Sequence, residues 1–288
     1  MPTAQPKAAK SSGAKKSAPK PKSSAKPVAA KSKPGRGTPS KAGVVKAGVP
    51  SATGAGVKPA KGYNPVAPER VRAILAHLDQ LYPNATCALT HKSAWELLVA
   101  TILSAQCTDA TVNKVTPLIF AKYPTPQAFA AITPEQLEPD IRPTGFFRNK
   151  AKSVVGAAKE VVANFGGEVP NEMEKLLSLP GVARKTANVV LGTWFKLGVG
   201  VVVDTHVHRI SRRLELTKSN DPKNIEQDLM KVIPQSRWID YSHLIIHHGR
   251  ALCIARKPKC ADCSLETLCH AADKTWSTVE IHKNATPG

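Results

Sequence analysis

The sequence predicts an all-α fold for the globular part of the chain, which extends from about residue 64 to residue 274. Apolar residues in this part recur at helical spacing, and one segment is apolar on nearly every side, as a helix enclosed by other helices is. A short apolar run at 201–203 has the length of a strand, but no alternating segment accompanies it as a partner. This part of the chain is long enough for one large core or two small ones.

The helices are predicted in chain order from these patterns. Pro68 suits a helix start, because its fixed φ is helical and the first turn does not use the N–H group that proline lacks. The segment 95–105 (WELLVATILSA) is the enclosed helix. The helix that begins at Pro68 is predicted to bury a face formed by Val71, Ile74, Leu75, Leu78 and Leu81. Further helices are predicted over 110–121, 134–139, 149–165, 172–178, 184–196, 205–214, 223–232 and 239–249. No apolar run reaches 18 residues, which excludes a membrane span.

Residues 1–62 differ in composition from the rest of the chain. They contain 13 Lys, one Arg and no Asp or Glu in a background of Ala, Pro, Ser and Gly, which predicts a disordered tail. This tail carries most of the formal net charge of +20 and suits phosphate polyanions, because each neutralised phosphate releases counterions. A solubilising linker would have a similar composition. The single Arg36 disfavours a mitochondrial transit peptide.

Four cysteines close the globular part, at Cys253, Cys260, Cys263 and Cys269, in the pattern C-x6-C-x2-C-x5-C. One short gap between two longer ones favours a 4Fe-4S cluster over zinc, which prefers two short-spaced pairs. Disulfides are disfavoured, because the polar, basic N-terminus has no apolar signal segment and predicts a reducing compartment. Cys87 and Cys107 are interpreted as ordinary buried residues.

The segment 171–191 (NEMEKLLSLPGVARKTANVVL) predicts two helices joined by a tight hairpin. Asn171 and Glu174 resemble a capping box, and Pro180-Gly181 ends the first helix abruptly. A hairpin over 180–183 presents backbone N–H groups and the positive end of a helix dipole, which together suit one DNA phosphate. A plain helix-turn-helix would have a similar pattern.

Lys185 and Asp204 are the candidates for chemistry. Lys185 lies in the first turn of the second helix of that pair, where the dipole disfavours the charged ammonium and so favours a nucleophilic amine. Asp204 directly follows an apolar run and directly precedes the next predicted helix. It is therefore either the acid that assists the amine or only the N-cap of that helix. A third interpretation is a hydrolytic metal site, which would use Asp204, His206, His208 and the pair His247-His248.

Taken together, four motifs resemble endonuclease III, the helix-hairpin-helix DNA glycosylase and AP lyase of base-excision repair. They are LSAQCTDATVNKV, LPGVARKTANVVL, VDTHVHRISRRL and the cysteine loop, in order within residues 66–272. The resemblance implies a two-lobed all-α fold with DNA in the cleft between the lobes. It places a six-helix barrel with the hairpin over 87–198 and an iron-sulfur cluster lobe over 63–86 and 199–275, with the basic tail before them and a flexible C-terminus over 276–288.

The resemblance also implies roles for single residues. Lys185 matches the catalytic lysine that attacks C1′ of a flipped-out, oxidised pyrimidine nucleotide, and Asp204 matches the catalytic aspartate. Gln106 matches the residue that enters the gap left in the duplex. Phe146 stands where relatives often have a leucine wedge, and a buried aromatic residue is the alternative for it. The Schiff base formed at C1′ then undergoes β-elimination, which cuts the strand 3′ to the abasic site.

The implied DNA contacts include the hairpin and the first loop of the cysteine motif. The hairpin usually reads G-V-G, whereas here it reads Gly181-Val182-Ala183, so either the backbone at Ala183 suits a side chain or DNA binding is altered. Arg256, Lys257 and Lys259 would face the phosphate backbone, held in place by a structural 4Fe-4S cluster.

The expected partner is double-stranded DNA with damaged pyrimidines or abasic sites, and the expected state is a monomer without membrane contact. The expected location is the cytoplasm at the nucleoid in a bacterium, or the nucleus in a eukaryote. An adenine-mismatch glycosylase of the same fold is disfavoured, because Lys185 is present and Thr101 stands where that branch has a glutamate. A non-catalytic DNA-binding module, with Lys185 as a phosphate contact, is the alternative outside enzymes.

Overall fold

A computed structural model describes residues 62–275, and the predictions for residues 1–61 and 276–288 lie outside this range. The described part is helical and contains no strand, which confirms the predicted fold class. Its helices are α1 (Pro68–Leu81), α2 (Ala94–Leu103), α3 (Asp109–Lys122), α4 (Pro126–Ala130), α5 (Pro134–Ile141), α6 (Phe147–Phe165), α7 (Met173–Leu177), α8 (Arg184–Thr193), α9 (Thr205–Arg213), α10 (Pro222–Val232) and α11 (Trp238–Ala251). Within residues 62–275, no helix combines the length and apolar character that a membrane crossing requires.

The predicted helices are present, with two corrections to local detail. The five-residue helix α4 was not predicted, because it has too few residues to show a period; Thr125 caps it by accepting from the amide of Ala128. The capping box at Asn171 and Glu174 is wrong. Helix α7 begins at Met173 after Glu172 and has no side-chain cap, and the Glu172 carboxylate instead lies 2.5 Å from the Lys175 ammonium.

Buried apolar side chains form two separate cores. The first is built from α2 to α8 and the loops between them, from Leu89 to Leu191, and α2 passes through it with Leu97, Leu98 and Val99 fully buried. The second combines α1 with α9, α10 and α11, so that the first helix of the described chain packs with the last ones. Because the described range 62–275 begins and ends in the second core, its first helix meets its last helices there.

Arg70 fixes α1 within the second core. Its guanidinium is buried and donates to the carbonyl of Leu214 at 3.0 Å and to the carbonyl of Leu268 at 2.6 Å. These two carbonyls follow α9 and precede Cys269, so one side chain joins the first helix to the cysteine-rich segment. A buried charge that is paired in this way is costly to remove, because its partners would be left unsatisfied.

Candidate active site and DNA interface

The hairpin between α7 and α8 is a tight turn that only glycine can complete. Leu179 and Val182 are buried on either side of it, and the Val182 amide donates to the Leu179 carbonyl at 3.1 Å. Gly181 has φ +77°, and a Cβ at this position would overlap the side chain of Ser153 on α6. The turn therefore brings the N-terminus of α8 to the surface with its first amide groups facing outward.

Ala183 resolves the departure from the usual G-V-G pattern. It is the residue before α8 and has φ −93° and ψ 169°, an extended conformation that any L-residue adopts without strain. The side chain is exposed. The first of the two alternatives therefore applies, because the backbone at Ala183 suits a side chain and requires no glycine.

These two positions give a paired prediction for the hairpin. We expect Gly181→Ala to lower the free energy of unfolding by more than about 1 kcal/mol and to weaken binding to duplex DNA, because it adds both strain at positive φ and a clash with Ser153. Ala183→Gly should change binding by less than about twofold and cost only a few tenths of a kcal/mol through greater freedom of the unfolded chain. Denaturant titration and DNA-binding titration of both variants provide the test; equal losses would contradict it.

Lys185 lies in a cleft between the two cores. It is the second residue of α8, its side chain is exposed, and it makes no hydrogen bond with any residue in 62–275. Side chains from α2, α8 and α11 line the cleft, together with Asp204. The Lys185 side chain is therefore not buried, and its amine is accessible to a ligand that enters the cleft.

Asp204 is the N-cap that its sequence position predicted, and its carboxylate also lines the cleft. Its Oδ1 accepts from the amides of His206 and Val207, each at 2.8 Å, so it is the N-cap of α9. Its Oδ2 accepts no hydrogen bond from the described residues, and the half-buried side chain lines the same cleft as Lys185. The cap fixes the direction of the carboxylate, and the second oxygen stays available for chemistry in the cleft.

A buried carboxylate from the other core anchors the helix that carries Lys185. Glu226 on α10 is 4% exposed, and its two oxygens accept from Arg184 Nε at 2.7 Å and from Asn188 Nδ2 at 2.8 Å. Arg184 and Asn188 flank Lys185 on α8. This clamp was not predicted, because the partners are about 40 positions apart and no local pattern relates them.

Gln106, Phe146 and Gly181 line one shallow groove beside the hairpin. Gln106 follows α2 and Phe146 precedes α6, and both have left-handed backbones, with φ +50° and +47°. Phe146 is 65% exposed, which contradicts the alternative of a buried aromatic. The neighbouring Phe147 is half-buried and packs on the first core. An exposed phenyl ring held in a strained conformation at a groove is the arrangement that a wedge between bases needs.

The imidazoles of the hydrolytic-metal interpretation are engaged elsewhere. His206 Nδ1 lies 3.2 Å from Arg209 Nη2, His208 Nε2 lies 3.1 Å from the Asn220 carbonyl, and His248 Nδ1 lies 3.2 Å from the Tyr82 hydroxyl. Within the range 62–275, no three His, Cys, Asp or Glu side chains are grouped so as to hold a single metal ion. Within the described residues, these imidazoles therefore do not converge with Asp204 on one point.

All four cysteines of the C-terminal motif line one cavity in the second core. Three of the sulfur atoms have hydrogen-bonding groups nearby. Cys253 Sγ accepts from Arg213 Nη1 at 3.2 Å, Cys263 Sγ lies 3.6 Å from His248 Nε2, and Cys269 Sγ lies 3.6 Å from the Arg213 carbonyl. The Arg213 N–H group aimed at Cys253 suits a thiolate ligand, and a cavity lined by all four cysteines fits an iron-sulfur cluster held by four protein thiolates. Cys87 and Cys107 lie apart from them and are half-buried rather than buried, which corrects their interpretation as core residues.

The loop after Cys253 presents its basic side chains to solvent from a fixed backbone. Arg256, Lys257 and Lys259 are exposed. Arg213 donates to the carbonyls of Ile254 and Ala255 at 2.8 and 3.1 Å, and the Lys259 amide donates to the Leu252 carbonyl at 2.9 Å. These bonds hold both ends of the loop, so the positive charges project from a defined shape.

Comparison with known proteins gives consistent matches. Residues 99–235 match the HhH-GPD superfamily of base-excision DNA repair proteins. Endonuclease III of Synechocystis sp. is 57% identical over 204 residues, which cover 71% of this chain and 93% of that protein. Endonuclease III of Bacillus subtilis is 41% identical over 207 residues, covering 72% and 94%. A solved structure of a trapped endonuclease III–DNA covalent intermediate superposes with a TM-score of 0.68 at 42% identity, over 72% of this chain and 97% of that one.

Proposed function

The chain belongs to the endonuclease III family, and from that premise we propose which of its residues carry out the reaction and on which substrate. The protein is a base-excision-repair DNA glycosylase with AP lyase activity. The observation that carries the residue assignment is that Lys185 and Asp204 line one cleft between the two cores, the lysine accessible and the carboxylate fixed by its cap.

The Lys185 amine is the nucleophile. It attacks C1′ of a nucleotide extruded into the cleft, the N-glycosidic bond breaks, and the base leaves with its bonding electrons and takes up a proton. The nitrogen lone pair of this adduct then expels O4′, which takes up a proton as the sugar ring opens, and the lysine and C1′ become a Schiff base. The Schiff base acidifies the C2′ proton, whose loss expels the 3′ phosphate and cuts the strand. Asp204 accepts a proton from the lysine ammonium and stabilises the positive charge that develops on the sugar.

The DNA is held by three parts of the surface. The hairpin at Gly181–Ala183 and the N-terminus of α8 bind one phosphate, and Arg256, Lys257 and Lys259 contact the backbone. Gln106 and Phe146 enter the duplex where the nucleotide has left it. The lobes correspond to the two cores, with boundaries near residues 87 and 198, so the extruded nucleotide is bound where the lobes meet.

The substrate class is duplex DNA with oxidised pyrimidines or abasic sites. Thr101 lies in the cleft and its hydroxyl donates to the Leu97 carbonyl at 2.7 Å, so this wall offers a hydroxyl where an adenine-mismatch enzyme needs a carboxylate. A panel of duplexes that each contain one lesion tests the assignment. Oxidised pyrimidines should be released faster than adenine opposite 8-oxoguanine, and preferential release of that adenine would contradict it.

Cys253, Cys260, Cys263 and Cys269 would hold a 4Fe-4S cluster through four thiolates, and the cluster would brace the basic loop without taking part in the reaction at Lys185. The purified protein should therefore be yellow-brown with a broad visible absorbance. Cys260→Ala should reduce solubility and DNA affinity more than it reduces the single-turnover rate at saturating enzyme. Cys260 lines the cysteine cavity, whereas Lys185 lines the separate cleft in which the reaction takes place. A colourless zinc protein with full activity after anaerobic purification would contradict the cluster assignment.

The basic tail contributes sequence-independent affinity for DNA. Removal of residues 1–62 deletes 14 positive charges and leaves both cores intact, so the single-turnover rate should not change at saturation. Binding to undamaged duplex should weaken, and the slope of log K against log[salt] should become shallower, because fewer phosphates are neutralised. Salt titrations of the full-length and truncated proteins measure this; identical slopes would leave the tail as a solubilising linker.

A further inference from the structure

Lys150 is a buried amine that the reaction above does not use. It lies in the first turn of α6 and is only 5% exposed, which is rare for a lysine. Its Nζ donates to the carbonyl of Leu103 at 2.9 Å and to the carbonyl of Thr144 at 2.8 Å. Burial lowers the pKa of this amine, but both the ammonium and the neutral amine have enough N–H groups for the two bonds.

The two carbonyls belong to the two loops that shape the groove beside the hairpin. Leu103 is the last residue of α2 and lies three positions before Gln106. Thr144 closes a short 3₁₀ turn and lies two positions before Phe146. A single amine therefore joins the loop that carries Gln106 to the loop that carries Phe146, across 41 positions of sequence between Leu103 and Thr144.

Both loops have backbones that require such support. Gln106 and Phe146 each have positive φ without being glycine, and Gly145 has φ +70°. Such a conformation is strained in the two non-glycine residues and persists only where the surroundings fix it. The Lys150 bonds satisfy carbonyls at the bases of both loops, where a helix end leaves such groups without an intrahelical partner.

We propose that Lys150 is a positioning residue, which holds the loops of Gln106 and Phe146 at the separation needed to enter the duplex together. This inference rests on the proposed roles of Gln106 and Phe146. It adds that one buried amine beneath the groove sets their geometry, so that the free-energy cost of extruding a nucleotide depends on Lys150.

The test compares substrates that differ in how much base pairing must be broken. Lys150→Met keeps the length and apolar stem of the side chain and removes its N–H donors. At saturating enzyme, the single-turnover rate on a paired oxidised pyrimidine should fall about tenfold or more, as expected for loss of buried hydrogen bonds to a charged group. On an abasic site in the same duplex the fall should be clearly smaller, because no base has to be unpaired. The matched control is Lys159→Met at an exposed position of the same helix, which should leave both rates unchanged.

A double-mutant cycle separates positioning from general damage to the fold. In a protein that already carries Gln106→Ala and Phe146→Ala, the added Lys150→Met should have little further effect on the paired lesion. Equal rate losses on both substrates, or full additivity in the cycle, would overturn the inference. If the Gln106 and Phe146 variants have wild-type rates, the proposed wedge fails and this inference fails with it. If they are slow while Lys150→Met is not, only the role of Lys150 is wrong.

If Lys150→Met does not fold, Lys150→Gln is the second variant. Its side-chain amide keeps N–H donors but is too short to bond both carbonyls, so the same substrate-dependent loss of rate is expected.

Discussion

Lys185→Gln is expected to lose strand cleavage and borohydride trapping completely, while its affinity for duplex DNA changes little. A Schiff base needs a primary amine, and an amide has no lone pair that can form one. The Lys185 side chain is exposed and makes no hydrogen bond within residues 62–275, so its replacement removes no side-chain contact that supports the fold. The free energy of unfolding should therefore stay close to that of the unmodified protein.

The matched control is Lys159→Gln, which makes the same substitution at an exposed position of α6 away from the cleft. Gel analysis of borohydride-treated reactions with an abasic duplex, together with a binding titration, measures both quantities. Trapping at the level of the unmodified protein would remove Lys185 from the reaction and return it to the role of a phosphate contact.

Asp204→Asn is expected to slow the single-turnover reaction by at least about 100-fold while leaving stability nearly unchanged. Loss of a positioned acid–base group typically costs 10²–10⁴ in rate. Asparagine is as good an N-cap as aspartate, so its side-chain oxygen can still accept from the amides of His206 and Val207. This substitution separates the two interpretations of Asp204, since it keeps the cap and removes the negative charge.

Asp221→Asn is the control for Asp204→Asn. Asp221 caps α10 by accepting from the Asn224 amide at 3.0 Å, and it is exposed. The same chemical change should therefore alter neither rate nor stability by much. If Asp204→Asn keeps the full rate, the carboxylate is only a helix cap, and another group must deprotonate Lys185.

Local features of the sequence predicted the helices and the chemistry of single segments well. Amphipathic spacing located α1, and proline followed by glycine located the hairpin, because both signals depend on neighbours in the chain. The capping box at Asn171 failed because a competing pair, Glu172 and Lys175, lies within the same turn. The short helix α4 was not predicted, because five residues are too few to show a helical period.

Features that depend on tertiary contacts were not predictable from one sequence. Glu226 and Lys150 look like ordinary surface residues in their segments, yet both are buried. Glu226 binds partners 42 and 38 positions away, and Lys150 binds one partner 47 positions away. The exposure of the Phe146 ring is visible only in the structure, since sequence patterns do not distinguish a wedge from a core aromatic residue. Cys87 and Cys107 were assigned to the core by residue type, and the structure places them at its edge.

The covalent bond between Lys185 and DNA is the central claim, and mapping that bond tests it most directly. The full chain is trapped with borohydride on an abasic duplex and digested, and the peptides are analysed by mass spectrometry for the reduced sugar remnant. This measurement is decisive because residues 1–62 contain 13 lysine amines in addition to the N-terminal amine, and each of these could form an adventitious Schiff base. The account predicts the remnant on Lys185 of α8; a remnant on a tail lysine, on Lys150 or on the N-terminal amine would contradict it.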